Sequence, residues 1–319
     1  MTLAERIQSG DVRALARAIS KVENGSPDIE DLLRELRGRA GRAHVVGVTG
    51  PPGSGKSTLS DGLIERWRAA GQTVGVIAVD PSSPFTGGAL LGDRVRMQRH
   101  ATDRGVFIRS MAARGHLGGL AAATREAIRL IDASGRDRCL LETVGVGQSE
   151  LEVMQTADTT VVITTPAGGD GVQVIKAGIL EIADIFVVNK ADMTGADKVA
   201  KDLRRLVHET KTGSGWEPPV VLTVASTGEG VDELVAAIDR HRARIEENGE
   251  LQRRREERFR AEVEAIVAGR AVTAARQALR DATLPVQADG DLSRLDPYAV
   301  ADSILREGMA RDNGHPAAE

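Results

Sequence analysis

Seven short apolar runs punctuate the middle of the chain: Val45 to Val48, Val74 to Val79, Val106 to Ile108, Cys139 to Leu141, Thr160 to Ile163, Ile185 to Val188 and Val220 to Val224. They are rich in Val and Ile and bounded by Gly, Pro and Asp, the texture of strands buried on both faces. Between them lie stretches with helical spacing, such as Leu59, Leu63 and Trp67. Unbroken apolar strands alternating with helices predict an α/β fold: a mostly parallel central sheet covered by helices on both faces, with ligands beyond the carboxyl ends of the strands.

The flanks read differently. Residues 1–40 predict an N-terminal helical arm, residues 41–240 the sheet domain, and residues 241–319 a C-terminal helical extension. In the arm, Thr2 and Glu5 have capping-box spacing, Asp11 can cap a second helix, and Ser26 before Pro27 predicts the start of a third. Ile29, Leu32, Leu33 and Leu36 of that third helix fall on one stripe. From Arg240 to about Arg280 the pattern predicts one or two charged helices. There Phe259, Val263, Ile266 and Val267 form a narrow apolar stripe that can face the main domain or a second subunit. The run Arg253 to Arg258 reads as a solvated helix face. Pro297 to Leu305 predicts a last short helix, and the tail from Asn313 is expected to be disordered.

Composition narrows the function. The 319 residues carry 42 Lys+Arg against 46 Asp+Glu, a formal charge of −4, which gives no electrostatic reason to expect nucleic acid or an anionic membrane. No apolar run reaches the roughly 18 residues of a membrane span, and the first residues have no signal-peptide core, so a soluble cytoplasmic protein is expected. The single cysteine, Cys139, excludes an intramolecular disulfide and a cysteine-cluster metal site; in a central strand it reads as a small core residue. His100, His116, His208 and His241 are scattered, without metal-ligand spacing, and read as surface or packing residues. Aromatics at 2% disfavour ring-built surfaces for bases or sugars.

Candidate chemistry follows the ends of the apolar runs. Gly50-Pro51-Pro52-Gly53-Ser54-Gly55-Lys56-Ser57 comes after the first run and opens a helix with Thr58 in its first turn, the context of a phosphate-binding P-loop. Its glycines let backbone N–H groups curl around phosphate oxygens, and the helix N-terminus adds its dipole. Lys56 is placed to reach the β- and γ-phosphates and Ser57 to ligate Mg²⁺. Asn189-Lys190-Ala191-Asp192 follows the sixth run. A carboxylate there can accept from both N1–H and the exocyclic amine of guanine, whereas adenine would leave it unpaired at roughly 1–3 kcal/mol per lost bond. Ala225-Ser226-Thr227-Gly228, after the seventh run, can offer N–H groups to the guanine carbonyl; it equally reads as a plain glycine turn. Glu142 at the end of the fourth run, with Gly145 three residues on, has the pattern that senses a γ-phosphate near Mg²⁺. Asp80, after the second run, and Asp93 beyond a Gly/Ser/Pro stretch can complete the magnesium shell or orient water, although Asp80-Pro-Ser-Ser is also a good turn and Asp93 a possible helix cap.

Together these strings resemble the MeaB/ArgK family of P-loop GTPases, chaperones of cobalamin-dependent acyl-CoA mutases. The resemblance covers most of the chain and rests on Asp80-Pro-Ser-Ser, GGALLGDRVRM from Gly87, FIRSMAARGHLGG from Phe107, ETVGVGQSE from Glu142 and EIADIFVVNKAD from Glu181. It implies a homodimer built through the C-terminal extension. It implies Lys56, Asp80 and Glu142 as the catalytic set, and Ser57, Asp80, Asp93 and Glu142 around Mg²⁺, with GTP or GDP bound. It also implies switch segments after Asp80, Glu142 and Gly168, the last with Asp170, Gln173 and Lys176 relaying a partner's state. Here the chain departs from the family's usual, more polar string at Gly171-Val172 and Lys176-Ala177. The implied function is a GTP-hydrolysing chaperone that gates cofactor loading and protection of an adenosylcobalamin-dependent acyl-CoA mutase such as methylmalonyl-CoA mutase, slow alone because no water-orienting glutamine or arginine finger is evident. A metallochaperone for a nickel enzyme and a small-molecule or transport-protein kinase stand as alternatives. The first lacks its usual His-rich or Cys-containing motif here; the second requires ATP.

Overall fold

A computed structural model describes residues 1–38, 41–79, 98–100, 102–111, 119–143, 154–166, 177–211, 215–281 and 296–312. Its strands are β1 (His44–Thr49), β2 (Val74–Val79), β3 (Val106–Met111), β4 (Arg138–Thr143), β5 (Thr159–Thr164), β6 (Ile185–Asn189) and β7 (Val220–Thr223). They coincide with the seven apolar runs. All pair in parallel, in the order β3-β2-β4-β1-β5-β6-β7. From β1 the chain builds one side of the sheet through β2, β3 and β4, then builds the other through β5, β6 and β7. That reversal opens a crevice at the carboxyl end of β1, where an open α/β sheet takes its ligand.

The helices are α1 (Leu3–Gln8), α2 (Val12–Glu23), α3 (Ile29–Glu35), α4 (Lys56–Ala69), α5 (Gly119–Ala133), α6 (Ala177–Ile182), α7 (Ala196–Lys211), α8 (Val231–Glu247), α9 (Glu250–Asp281) and α10 (Pro297–Asp312). Because strand side chains alternate between faces, β1 turns Val45 toward one core, and Val46 and Val48 toward another. The first core joins Ile77, Phe107, Cys139 and Leu141 to α5 and to the arm residues Ile7, Leu15, Ile19, Val22, Ile29, Leu32 and Leu36. The second gathers Leu59, Leu63, Ile64 and Trp67 of α4 with Leu234 and Ile238 of α8. A third sets α7 against Val162, Phe186 and Val188. The chain divides into two compact units, Met1–Arg258 and Phe259–Glu319. The arm is therefore part of the unit that holds the sheet.

Local capping follows the sequence at the first two helices. Thr2 and Glu5 form a reciprocal capping box, and Asp11 accepts the N–H groups of Arg13 and Ala14. The third start differs. Ser26 only closes a turn, its carbonyl accepting the Ile29 N–H, and α3 begins after Asp28. Asp28 gives α3 no side-chain cap because its carboxylate is drawn to Lys21.

The arginine run Arg253 to Arg258 corrects the solvated-face reading. Arg253, Glu256 and Glu257 are exposed, but the opposite side of the helix is clamped to two carboxylates at the amino ends of β5 and β6. Arg255 Nη2 and Arg258 Nη2 lie 2.8 and 2.5 Å from Asp158, and Arg254 Nη2 lies 3.0 Å from Asp184. Burial alone would raise the Asp158 carboxyl; Arg255 and Arg258 outweigh it and hold the group down at about 2. A charge pattern on one helix cannot reveal acceptors some 70 to 100 residues distant in sequence.

The same end of the sheet carries a directional hydrogen-bond chain. Arginine can only donate, so Arg138 Nη1 gives a hydrogen bond to His44 Nδ1 at 2.7 Å. His44 Nε2–H then donates to Thr159 Oγ1, and the Thr159 hydroxyl donates to His241 Nδ1, both at 2.8 Å. His241 Nε2–H is left facing Asp184 Oδ1 at 3.2 Å. Burial, reinforced by Arg138 and opposed by Asp158, drops the His44 imidazole to about 3. It is neutral at any ordinary pH. His241 is thus a packing residue, as expected, whereas His208 is exposed on α7 and His116 lies outside the described residues.

Candidate nucleotide site

The P-loop leaves β1 and enters α4 at Lys56. A β-carbon on Gly50 would stand 2.4 Å from the Ile163 carbonyl of β5, so only glycine lets the loop start flat against the neighbouring strand. The Ser54 N–H closes a turn onto the Pro51 carbonyl at 3.2 Å. Gly55 then takes φ 90°, a left-handed conformation that turns the chain into the helix. Pro52, Gly53 and Thr58 are exposed, whereas Ser54, Lys56 and Ser57 are buried. Lys56 Nζ donates to the Gly50 and Pro51 carbonyls at 2.8 and 3.0 Å, which holds the ammonium across the mouth of the loop.

Glu142 reaches the same point from β4. Register sets Val48 opposite Glu142, so the carboxylate leaves the sheet beside the strand that feeds the loop. Ser57 Oγ donates to Glu142 Oε1 at 2.6 Å. A hydroxyl and a carboxylate side by side are hard oxygen donors suited to Mg²⁺. Asp80 and Asp93 lie outside the described residues, as do Gly145 and the switch positions Asp170, Gln173 and Lys176.

Asn189 binds the remaining pieces together. Its Nδ2 donates to the Ser54 carbonyl at 2.7 Å, while its Oδ1 accepts from Thr223 Oγ1 and from the Ala225 N–H, each at 3.0 Å. One buried amide thus joins the P-loop, the end of β7 and the loop Ala225-Ser226-Thr227. Next to it, Lys190 has φ 58°, the described non-glycine residue with positive φ. That turn lets the Ala191 N–H donate to the Thr223 carbonyl at 3.0 Å, drawing the two loops side by side. An antiparallel bridge between Val224 and Glu229 closes the second loop, and Thr227 Oγ1 donates to the Val224 carbonyl at 3.1 Å. Asp192, Ser226 and Thr227 are exposed at the rim.

The structure therefore brings Lys56, Ser57, Glu142, Asn189 and Ala225 into one hydrogen-bonded neighbourhood at the carboxyl edge of the sheet. Sequence reading missed Thr223 and Ile163, since nothing in their own neighbourhoods marks them; both act by lying beside a motif in the sheet. Among the described residues no group of three or more His, Cys, Asp or Glu is arranged to hold a metal ion by itself, and no helix is long and apolar enough to cross a membrane.

Comparison with known proteins identifies the family and the fold. A putative GTPase of Pyrococcus horikoshii is 50% identical over 318 residues, covering 97% of this chain and 98% of its own. The GTPase ArgK of Escherichia coli is 38% identical over 269 residues, covering 80% and 81%. A crystal structure described as a LAO/AO transport system kinase superposes with a TM-score of 0.68 at 28% identity, covering 98% of this chain and 96% of that one. Residues 15–280 match the model of the methylmalonyl-CoA mutase-associated GTPase MeaB. With a P-loop on a parallel sheet, Lys56 and Ser57 opening the helix that follows it, and a match spanning most of its length, the chain belongs to the MeaB family of P-loop GTPases and is a GTP hydrolase.

Proposed function

We propose that this GTPase binds Mg²⁺-GTP in the cradle 50–58, selects guanine with Asp192, and uses its nucleotide state to gate cofactor loading of an adenosylcobalamin-dependent acyl-CoA mutase, probed first with methylmalonyl-CoA mutase. The observation that carries the nucleotide reading is the Asn189 amide, which couples the phosphate loop to both base-side loops through three hydrogen bonds. The family's description as mutase-associated supports the partner. Water attacks the γ-phosphorus as the bond to the β–γ bridging oxygen breaks, leaving GDP and phosphate. Lys56 and the loop amides meet the negative charge that gathers on the transferred group. Ser57 and Glu142, joined by Asp80 and Asp93, would hold Mg²⁺, which supplies positive charge at the phosphate oxygens. Asp170, Gln173 and Lys176 would carry the partner's state to that site. The apolar row Phe259, Val263, Ile266 and Val267, exposed along α9, supports a homodimer. We place the protein in the cytoplasm.

The test compares GTP turnover by the full chain alone and with saturating methylmalonyl-CoA mutase. Stimulation is expected; equal rates sink the partner reading. The nucleotide reading is tested by calorimetry: heat with Mg²⁺-GTP and none with Mg²⁺-ATP is expected, and Asp192→Asn should abolish guanine preference. ATP binding with transfer of its γ-phosphate to protein or amino acid would favour the kinase alternative, the activity in the description of the superposed structure.

A further inference from the structure

A cavity of about 330 Å³ opens at the amino end of β1, between the chain entering that strand, the last turns of α8 and the first turns of α9. β1 runs from His44 in the cavity wall to Thr49 before the P-loop, which sets the two sites roughly 16 Å apart along the strand. The volume falls among small-molecule sites, about 300–1,000 Å³. The nucleotide chemistry above has no use for it.

Its walls are held in place. Asp132 of α5, itself buried, accepts the N–H groups of Gly41, Arg42 and Ala43. From the other side, Arg255 Nη1 and Nη2 donate to the Gly41 and Ala43 carbonyls at 2.6 and 3.1 Å. The backbone that carries Arg42 is therefore gripped twice, while the Arg42 side chain is exposed and has no ion pair among the described residues. On α8, Arg242 gives its Nε to Glu246 at 2.8 Å, and its two Nη groups have no partner among the described residues. The charge around the cavity is uneven. Arg42, Arg242 and Arg255 line it against one carboxylate, Glu246, and His44 is neutral. Behind the wall, Asp158 is shared by Arg255 and Arg258, and Asp132 is taken up by backbone N–H groups. With these included, four arginines still exceed three carboxylates. A cleft walled by one sign of charge concentrates ions of the other.

We propose that this cavity is a second anion site, which takes a phosphate group, free or as a monoester, on Arg42 and Arg242. Two guanidiniums carried by different elements call for an acceptor with more than one edge. A carboxylate presents two oxygens, enough for one arginine fork, whereas a phosphate monoester presents three and carries about −1.5 to −2 charges at pH 7. Arg255 is already committed to Asp158 and to the Gly41 and Ala43 carbonyls, so it fixes the wall and contributes charge. The site stands apart from both the purine preference and the partner proposed above.

The experiment titrates inorganic phosphate, ribose 5-phosphate and acetate into the full chain by calorimetry, with Mg²⁺-GDP saturating the P-loop throughout. A saturable phosphate site is expected. Arg42→Ala and Arg242→Ala should each weaken it about 10- to 100-fold, with GDP affinity unchanged. Arg42→Lys keeps the charge but loses the fork, so it should recover only part of the loss. Arg42 is exposed and Arg242 partly so, and neither belongs to the Asp158 clamp, so truncating them leaves the core intact. Phosphate bound beside GDP in the P-loop would be indifferent to both substitutions. Heat that neither variant diminishes therefore overturns the proposal, as does the absence of saturable heat. Acetate competing as well as phosphate would overturn the assignment to phosphate. Tighter binding of ribose 5-phosphate than of inorganic phosphate would support a monoester as the ligand, and equal affinity the free anion.

Discussion

Replacing Gly55 with alanine isolates the contact on which the assembled site depends. Gly55 has φ 90°, where an L-residue costs about 1–2 kcal/mol. Its added Cβ would also lie 2.3 Å from Asn189 Nδ2. The amide cannot simply swing aside, because it is fixed by Ser54, Thr223 and Ala225. Displacing it strands at least one buried partner, at about 1–3 kcal/mol. The expected total for Gly55→Ala is therefore about 2–5 kcal/mol. Gly53 is the control. It also has positive φ, 76°, but a Cβ there meets nothing within 4 Å, so Gly53→Ala should cost the backbone strain alone, about 1–2 kcal/mol. Urea unfolding followed by tryptophan fluorescence, from Trp67 buried on α4 and from Trp216, reads both. A third variant closes the cycle: in an Asn189→Ala background the obstruction is gone, and Gly55→Ala should fall to the cost of its control. Equal losses for the two glycine variants, or an undiminished Gly55→Ala penalty without the Asn189 side chain, would refute the claim that this amide ties the P-loop to the loops after β6 and β7.

Other expectations follow from the far end of the sheet. His44 ordinarily titrates near 6.5 but is held at about 3 in the folded chain, so between those values the unfolded state binds the extra proton and acid destabilises the fold. Unfolding free energy should drop by about 2 kcal/mol from pH 6.5 to 5 through this group, and His44→Gln should remove that part of the slope; an unchanged slope contradicts it. Asp158→Asn leaves Arg255 and Arg258 facing a neutral amide and should cost about 3–5 kcal/mol in urea unfolding, whereas a loss under 1 kcal/mol would mean the pairs are solvated. Cys139 is fully buried on β4 and its thiol is pushed up by burial, so it should resist a thiol reagent in the native chain and react on unfolding. Labelling of the native chain at the unfolded rate would show that this strand opens.

Local signals gave a faithful account wherever physics is local. Seven apolar runs became seven parallel strands because a strand covered on both faces has no polar side to alternate with. Thr2 and Asp11 capped the helices they precede because a cap needs only the next few N–H groups. The P-loop string was legible for the same reason: a strand–loop–helix turn is a short stretch whose backbone geometry demands particular residues. Ser26 is not the cap because the helix begins two residues later, after Asp28, and Asp28 gives no side-chain cap because Lys21, on a different helix, draws its carboxylate.

The sequence by itself determined the fold class, the position of the phosphate loop and the identity of Lys56, Ser57, Glu142 and Asn189 as the groups to watch. Only the tertiary structure decided what holds them together. Asn189 reads as one letter of a base-recognition string, yet its three partners come from β1's loop and from the end of β7 and the turn beyond it, which meet only once the strands take the order β1-β5-β6-β7. The arginines of α9 look solvated until Asp158 and Asp184 are brought beneath them. In each case the interaction energy belongs to pairs distant along the chain, and a sequence lists residues but not which of them become neighbours.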